Sequence, residues 1–206
     1  MSMYAFLRKV ISHFLNAIYQ PFLFALVLSV FVMFFIMYLE KYKNIRVKDR
    51  ILNGLKDWIN NFKQSVKFRR IFYFVFIVVM ILFKTLLVRN MEFNPTRNVV
   101  GVWGFYRHDG SFTTEVVENV VLFIPFIFFM FFMLETTSKK ATKLLVVIGR
   151  SIVISFLSSL TIEMLQLFLH LGTWQLSDLC FNTLGGIIGG FIYWITTLMR
   201  RSAKGE

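Results

Sequence analysis

One cysteine, three prolines and three histidines among 206 residues remove several chemistries at once. Cys180 stands alone, so no intramolecular disulfide can staple the chain. His108 and His170 have no second ligand at metal-like spacing and are read as non-metal, so no metal site and no cofactor is expected. No Gly-rich phosphate loop, His-Glu metal motif or nucleophile elbow occurs. Acidic residues are also scarce, 11 against 23 Lys and Arg. In a soluble chain a net charge of +12 would suggest nucleic acid. Here the cations sit between long uncharged runs, which points to anionic lipid and to control of topology, with no nucleic-acid partner.

What the chain has in excess is apolar surface: 57% hydrophobic residues, 26 of them Phe. Five runs reach or approach the ~20 residues that cross a hydrocarbon core. They are Pro21–Leu39, Ile71–Val88, Val116–Leu134, Leu144–Leu171 and Leu179–Met199. The first ends in a basic stretch rather than a small-residue cleavage site and is read as a retained signal-anchor helix. The expected fold is an all-α polytopic membrane bundle of about five transmembrane helices, with one or two interfacial amphipathic helices. Residues 1–88 would supply the first two spans and a basic loop, and residues 89–206 an outer loop and three spans.

Seventeen of the 23 Lys and Arg residues fall in Lys41–Arg70, in the connection holding Lys139, Lys140 and Lys143 together with the nearby Arg150, and in the tail with Arg200, Arg201 and Lys204. Those segments share one side of a five-span protein. Arg8, Lys9, Arg89, Arg97 and Arg107 lie on the other. The asymmetry predicts a multi-pass cell-membrane protein with its N-terminus outside and its C-terminus in the cytoplasm. Within the first loop, Ile51, Leu52, Leu55, Trp58, Ile59, Phe62 and Val66 recur at helical spacing among lysines. This predicts a basic amphipathic helix over about Asp49 to Lys67, lying on the cytoplasmic interface or packed on the bundle. Tyr4, Leu7, Val10, Ile11, Phe14, Leu15 and Ile18 form a weaker version at the N-terminus. Asp109-Gly110 marks a tight turn in the outer loop.

Polar groups inside the spans cost several kcal/mol unless partnered or hydrated, and so mark candidate functional positions. Asn119 lies one turn into span three. Glu163 and Gln166 share a face of span four, and Asp178 and Asn182 share a face of span five. With Lys84 near the end of span two, all fall in the outer half, as an outward-facing polar chamber would require. The same residues could equally be a hydrogen-bonded cluster that fixes helix register. Asp178 could be a first-turn acid of the ordinary kind. Gly185 and Gly189 form a small-residue strip expected to press span five against span four, and Pro125 is placed to kink span three.

Three blocks carry a resemblance. Glu118-Asn119-Val120-Val121-Leu122-Phe123-Ile124-Pro125-Phe126, Ser159-Leu160-Thr161-Ile162-Glu163-Met164-Leu165-Gln166 and Asp178-Leu179-Cys180-Phe181-Asn182-Thr183-Leu184-Gly185-Gly186 occur in order over roughly residues 92–197. They resemble the VanZ-like family, whose founding member is a glycopeptide (teicoplanin) resistance protein of Gram-positive bacteria. The family often carries an Arg shortly before the third block's Asp. Here Leu171-Gly172-Thr173-Trp174-Gln175-Leu176-Ser177 has none, so if that Arg pairs with an acid in relatives this chain must do without it.

The resemblance implies a membrane protein that lowers susceptibility to glycopeptide or lipopeptide antibiotics acting at the outer face. The partners would be membrane lipids together with a lipophilic antibiotic or a lipid-linked cell-wall precursor. An intramembrane enzyme acting on a lipid or lipid-linked precursor, with Glu163 as acid or base, is the alternative, and a small transporter the third.

Overall fold

The computed structural model describes residues 3–41, 47–107, 109–134 and 143–203. Of Ala17 and residues 38–41 and 47–52 only the backbone is described. The cations Lys43, Arg46, Lys139, Lys140 and Lys204, and also His108, lie outside the described residues. Among these residues six α-helices occur in the order α1 (Met3–Lys41), α2 (Val47–Gln64), α3 (Val66–Leu82), α4 (Glu115–Leu134), α5 (Leu144–Leu169) and α6 (Leu176–Ser202). A π-helical turn, Phe83–Leu87, extends α3. Among the described residues five helices are long and apolar enough to cross a membrane: α1, α3 with its π turn, α4, α5 and α6. Among the described residues β structure is limited to two isolated bridges, so the chain is an all-α bundle.

The N-terminal amphipathic stretch is not a separate interfacial helix. It is the first half of α1, which runs unbroken through Pro21 for 39 residues, about 58 Å at 1.5 Å per residue. That is roughly twice the ~30 Å hydrocarbon core, so the helix must project or tilt. Its packing seam is Pro21, Ala25, Ser29 and Met33, buried residues four apart that put one face against the bundle. The projecting end is braced by the loop between α3 and α4. Phe6 meets Phe105 and Phe112 edge to face, and the Lys9 ammonium lies 4.4 Å from the Phe112 ring centre.

Helix α2 spans Val47–Gln64, and Ser65 then caps α3 by accepting from the Phe68 N–H at 3.2 Å. Its aromatic residues pack on the bundle: Trp58 stacks on Phe62, and both meet Phe72 edge to face. Gly54 lies against the Phe34 ring. Leu55 and Ile59 remain exposed beside Lys56 and Lys63. The apolar stripe read from the sequence is therefore divided between the bundle and the surface.

The three C-terminal spans make the tightest unit, with α6 packed between α4 and α5. The phenylalanine-rich core of Phe123, Phe126, Ile127, Met80 and Ile81 joins α4 to α3. Helix α4 is continuous through Pro125 from Glu115 to Leu134.

Candidate functional site

Helices α5 and α6 run antiparallel and meet through residues that step by four on each. Ser151 lies against Gly190, and Ser155 against Gly186. Asn182 then donates to the Ser159 hydroxyl at 2.8 Å. One turn further on, Glu163 and Asp178 interact across the interface. A step of four returns to nearly the same face of a helix, so a small-residue seam deep in the bundle becomes a polar seam near its end without leaving the contact. The serine hydroxyls are satisfied along their own helix: Ser151 donates to the Val147 carbonyl and Ser155 to that of Ser151. They therefore pack as small residues at no polar cost.

Gly185 and Gly189 face the other way. A Cβ on Gly185 would run into the Val120 carbonyl, and one on Gly189 into that of Ile124. This strip presses α6 on α4, not on α5 as expected from the sequence. Gly186 and Gly190 serve the α5 contact. The two strips lie side by side on a helix that two neighbours approach, and sequence spacing alone does not assign which neighbour takes which.

Asp178 is 5% exposed and holds the centre of the site. Its Oδ1 accepts from Asn119 Nδ2 at 2.8 Å, and its Oδ2 lies 3.4 Å from an Arg89 guanidinium nitrogen. An arginine thus reaches Asp178 although none stands just before it. The guanidinium arrives from the end of span two instead of from the residues just before the aspartate. Lys84, one turn earlier, pairs with Glu118 at 2.5 Å, not with Glu163. Thr114 donates to the second oxygen of Glu118.

The π turn holds Lys84, with Arg89 just beyond it. It adds a residue to one turn of the helix, so that Val88 N–H bonds back to Phe83 O at 3.1 Å. The Thr85 carbonyl within it accepts from Gln166 Nε2 at 2.7 Å, joining α5 to the end of span two.

Glu163 is 2% exposed, and its Oε2 accepts from the Gln175 backbone N–H at 2.8 Å. Its carboxylate does not bond to Asn119 or Asn182, which are taken by Asp178 and Ser159. Among the described residues no Lys or Arg makes an ion pair with it. Gln166, 1% exposed, leaves its Oε1 buried and without a partner among the described residues.

Over this cluster the α3–α4 loop is stitched to the α5–α6 turn. The backbone N–H groups of Glu92, Gly172, Trp174 and Leu176 donate to the carbonyls of His170, Asn90, Pro95 and Val99. Val102 N–H donates to the Ser177 hydroxyl at 3.1 Å. Gly101, at φ +77°, has no room for a side chain, since a Cβ would strike Ser177 and Gln175. His170 caps α5 in the left-handed conformation, which gives it a structural role. Near the loop tip Ser111 N–H bonds to the Asp109 carboxylate, and Gly110 adopts φ +78° in the expected tight turn. The polar residues thus form a closed cluster under a roof. Arg89, Glu118, Ser159 and the Gln175 N–H join those read from the sequence. Glu118 directly precedes Asn119, and Arg89 follows Lys84 by five residues, which were the signals available.

Comparison with curated proteins and with solved structures gives no match. A family model described as VanZ/LLP1 matches residues 68–198, which takes in α3, its π turn, the roof loop and helices α4 to α6. Every group in the cluster falls within that match. The chain belongs to the VanZ/LLP1 family.

Proposed function

We propose that this membrane protein lowers susceptibility to glycopeptide or lipopeptide antibiotics that act at the outer face, and that the cluster around Glu163 carries the activity. Membership of the VanZ/LLP1 family supports the link to glycopeptide resistance. The observation that carries the site assignment is the imbalance at Glu163. Lys84 and Arg107 pair with Glu118 and Glu115, and Arg89 reaches Asp178. Glu163, buried beside Asp178, has a single backbone donor. A purely structural cluster gains nothing from a second buried acid without its own cation, because burying such a group costs several kcal/mol. The reading takes the roofed end as extracytoplasmic, since most of the cations lie toward the other end. The partners are then outer-leaflet lipids and either the drug's lipid tail or a lipid-linked precursor.

The test is to express Glu163→Gln and Glu163→Leu in a susceptible Gram-positive host, reading protein level and drug susceptibility together. Gln keeps the shape and most of the hydrogen bonding, so the protein should accumulate normally and lose protection. Leu removes the acceptor of the Gln175 N–H at ~1–3 kcal/mol and should also lower the protein level. Full protection by a normally accumulating Gln variant would reject the assignment.

A further inference from the structure

The ion pairs at the roofed end of the molecule leave two cations over. Lys84 pairs with Glu118, Arg89 with Asp178, Arg97 with Glu92 and Arg107 with Glu115. The Asp109 carboxylate accepts from the Ser111 N–H in the loop tip. Arg8 and Lys9 of α1 come to the same end, because Phe6 and Lys9 both meet Phe112 of the roof. Among the described residues neither makes an ion pair with an acid.

These two cations line a common space. A groove of about 390 Å³ runs along this part of α1, bounded by Tyr4, Ala5, Arg8, Lys9, Ser12 and His13. Steps of four place Tyr4, Arg8 and Ser12 on one ridge and Ala5, Lys9 and His13 on the next, so both ridges bring donors to it. Phe112 holds the second ridge in place: the Lys9 ammonium lies 4.4 Å from its ring centre, and the His13 ring meets it edge to face with centres 5.5 Å apart. Arg8, Lys9, Ser12 and His13 are all exposed, so a ligand reaches them without any rearrangement. Tyr4 and Tyr19, both exposed, bracket the groove along the helix, and the exposed Tyr106 stands beside Phe112 on the roof. Tyrosines favour the level of the headgroups, which places the groove where lipid phosphates lie.

We propose that this groove binds the headgroup of an anionic phospholipid, whose phosphodiester carries no cation of its own. Arg8 and Lys9 supply the charge, and the Ser12 hydroxyl and the His13 ring donate to phosphate oxygens. The acyl chains run down α1 past Asn16 and Tyr19 into the hydrocarbon. A zwitterionic headgroup brings its own ammonium and gains less from the two cations. The groove lies outside residues 68–198, so the inference goes beyond the family match and does not rest on the function proposed above.

The experiment uses the full chain in phosphatidylcholine nanodiscs, in a Cys180→Ser background, with a bimane fluorophore on Asn16→Cys or Leu169→Cys. Asn16 is exposed one step of four beyond Ser12, and Leu169 is exposed at the roofed end of α5, away from the groove. Quenching is read with phosphatidylglycerol or phosphatidylcholine carrying a nitroxide near the carbonyl end of one acyl chain, at equal mole fraction. Phosphatidylglycerol should quench the Asn16 label severalfold more than phosphatidylcholine does, and the Leu169 label equally. Arg8→Gln with Lys9→Gln should remove the preference at an unchanged melting temperature, whereas Arg8→Lys with Lys9→Arg should keep it. Inorganic phosphate added at constant ionic strength should leave the preference in place; its loss would assign the groove to the free anion and overturn the lipid. Equal quenching by both lipids at Asn16, or an equal preference at Leu169, overturns the proposal with the groove intact, whatever the variants do.

Discussion

Asp178 draws its donors from two other parts of the chain, the Asn119 amide on α4 and the Arg89 guanidinium beyond the π turn. Removing Arg89 strands a carboxylate that is almost out of contact with solvent. Arg89→Leu should therefore destabilise the protein by ~1–3 kcal/mol, read as a lower melting temperature in detergent. Arg89→Leu combined with Asp178→Asn should be milder than Arg89→Leu alone, because the second change removes the stranded charge. Equal or additive losses would show that the two residues do not act as a pair. The helix faces of this site were legible in the sequence, because residues three or four apart must share one: Glu163 with Gln166, and Asp178 with Asn182. The pairings were not. Arg89 and Asp178 are 89 positions apart, and Lys84 pairs with an acid 34 positions away. Its pairing with Glu118 depends on how the end of span two sits against α4, which no periodicity announces.

Between elements, the glycines of α6 decide how closely α4 and α5 approach. Gly185 abuts a backbone carbonyl, which cannot rotate away as a side chain could. Gly185→Val should therefore push α4 from α6, at a cost of about 1–3 kcal/mol or more, and lower the yield of folded protein. Gly149 is the control: it sits in α5 where an added Cβ would meet nothing within 4 Å, so Gly149→Ala should be neutral or slightly stabilising. Comparable losses from both would mean that α6 does not depend on close contact with α4. Helix α2 shows the limit of periodicity from the other side. Its 3.6-residue pattern predicted the helix, but Trp58 and Phe62 turn toward Phe72 while Leu55 and Ile59 stay outside. An apolar stripe marks a face that avoids water, and a bilayer and a neighbouring helix meet that need equally well.

For the molecule as a whole, the contact of Phe6 with Phe105 and Phe112 puts the start of α1 at the same end as the roof. That agrees with two spans, α1 and α3, between the N-terminus and the roof loop, and the distribution of cations predicts which end faces outward. In a Cys180→Ser background, Thr96→Cys should react with a membrane-impermeant maleimide on intact cells, and Lys63→Cys only after lysis. Both positions are exposed, and Cys180 must be removed because it is exposed as well. The reverse pattern would invert the topology. Span number and approximate bounds were readable from hydropathy because the bilayer imposes a length on every crossing helix. The roof was not, because its closure depends on backbone groups, which every residue carries alike. The same fact shapes how the protein can vary. The side chains of Met91, Phe93 and Val100 are largely free of the roof's own stitching, and Phe93 is 96% exposed. Such positions can be substituted while the roof keeps its shape. Constraint falls instead on Gly101 and Ser177, where a side chain must be missing or must accept a hydrogen bond. The loop's outer surface can thus change at little risk to its closure over the buried acids beneath.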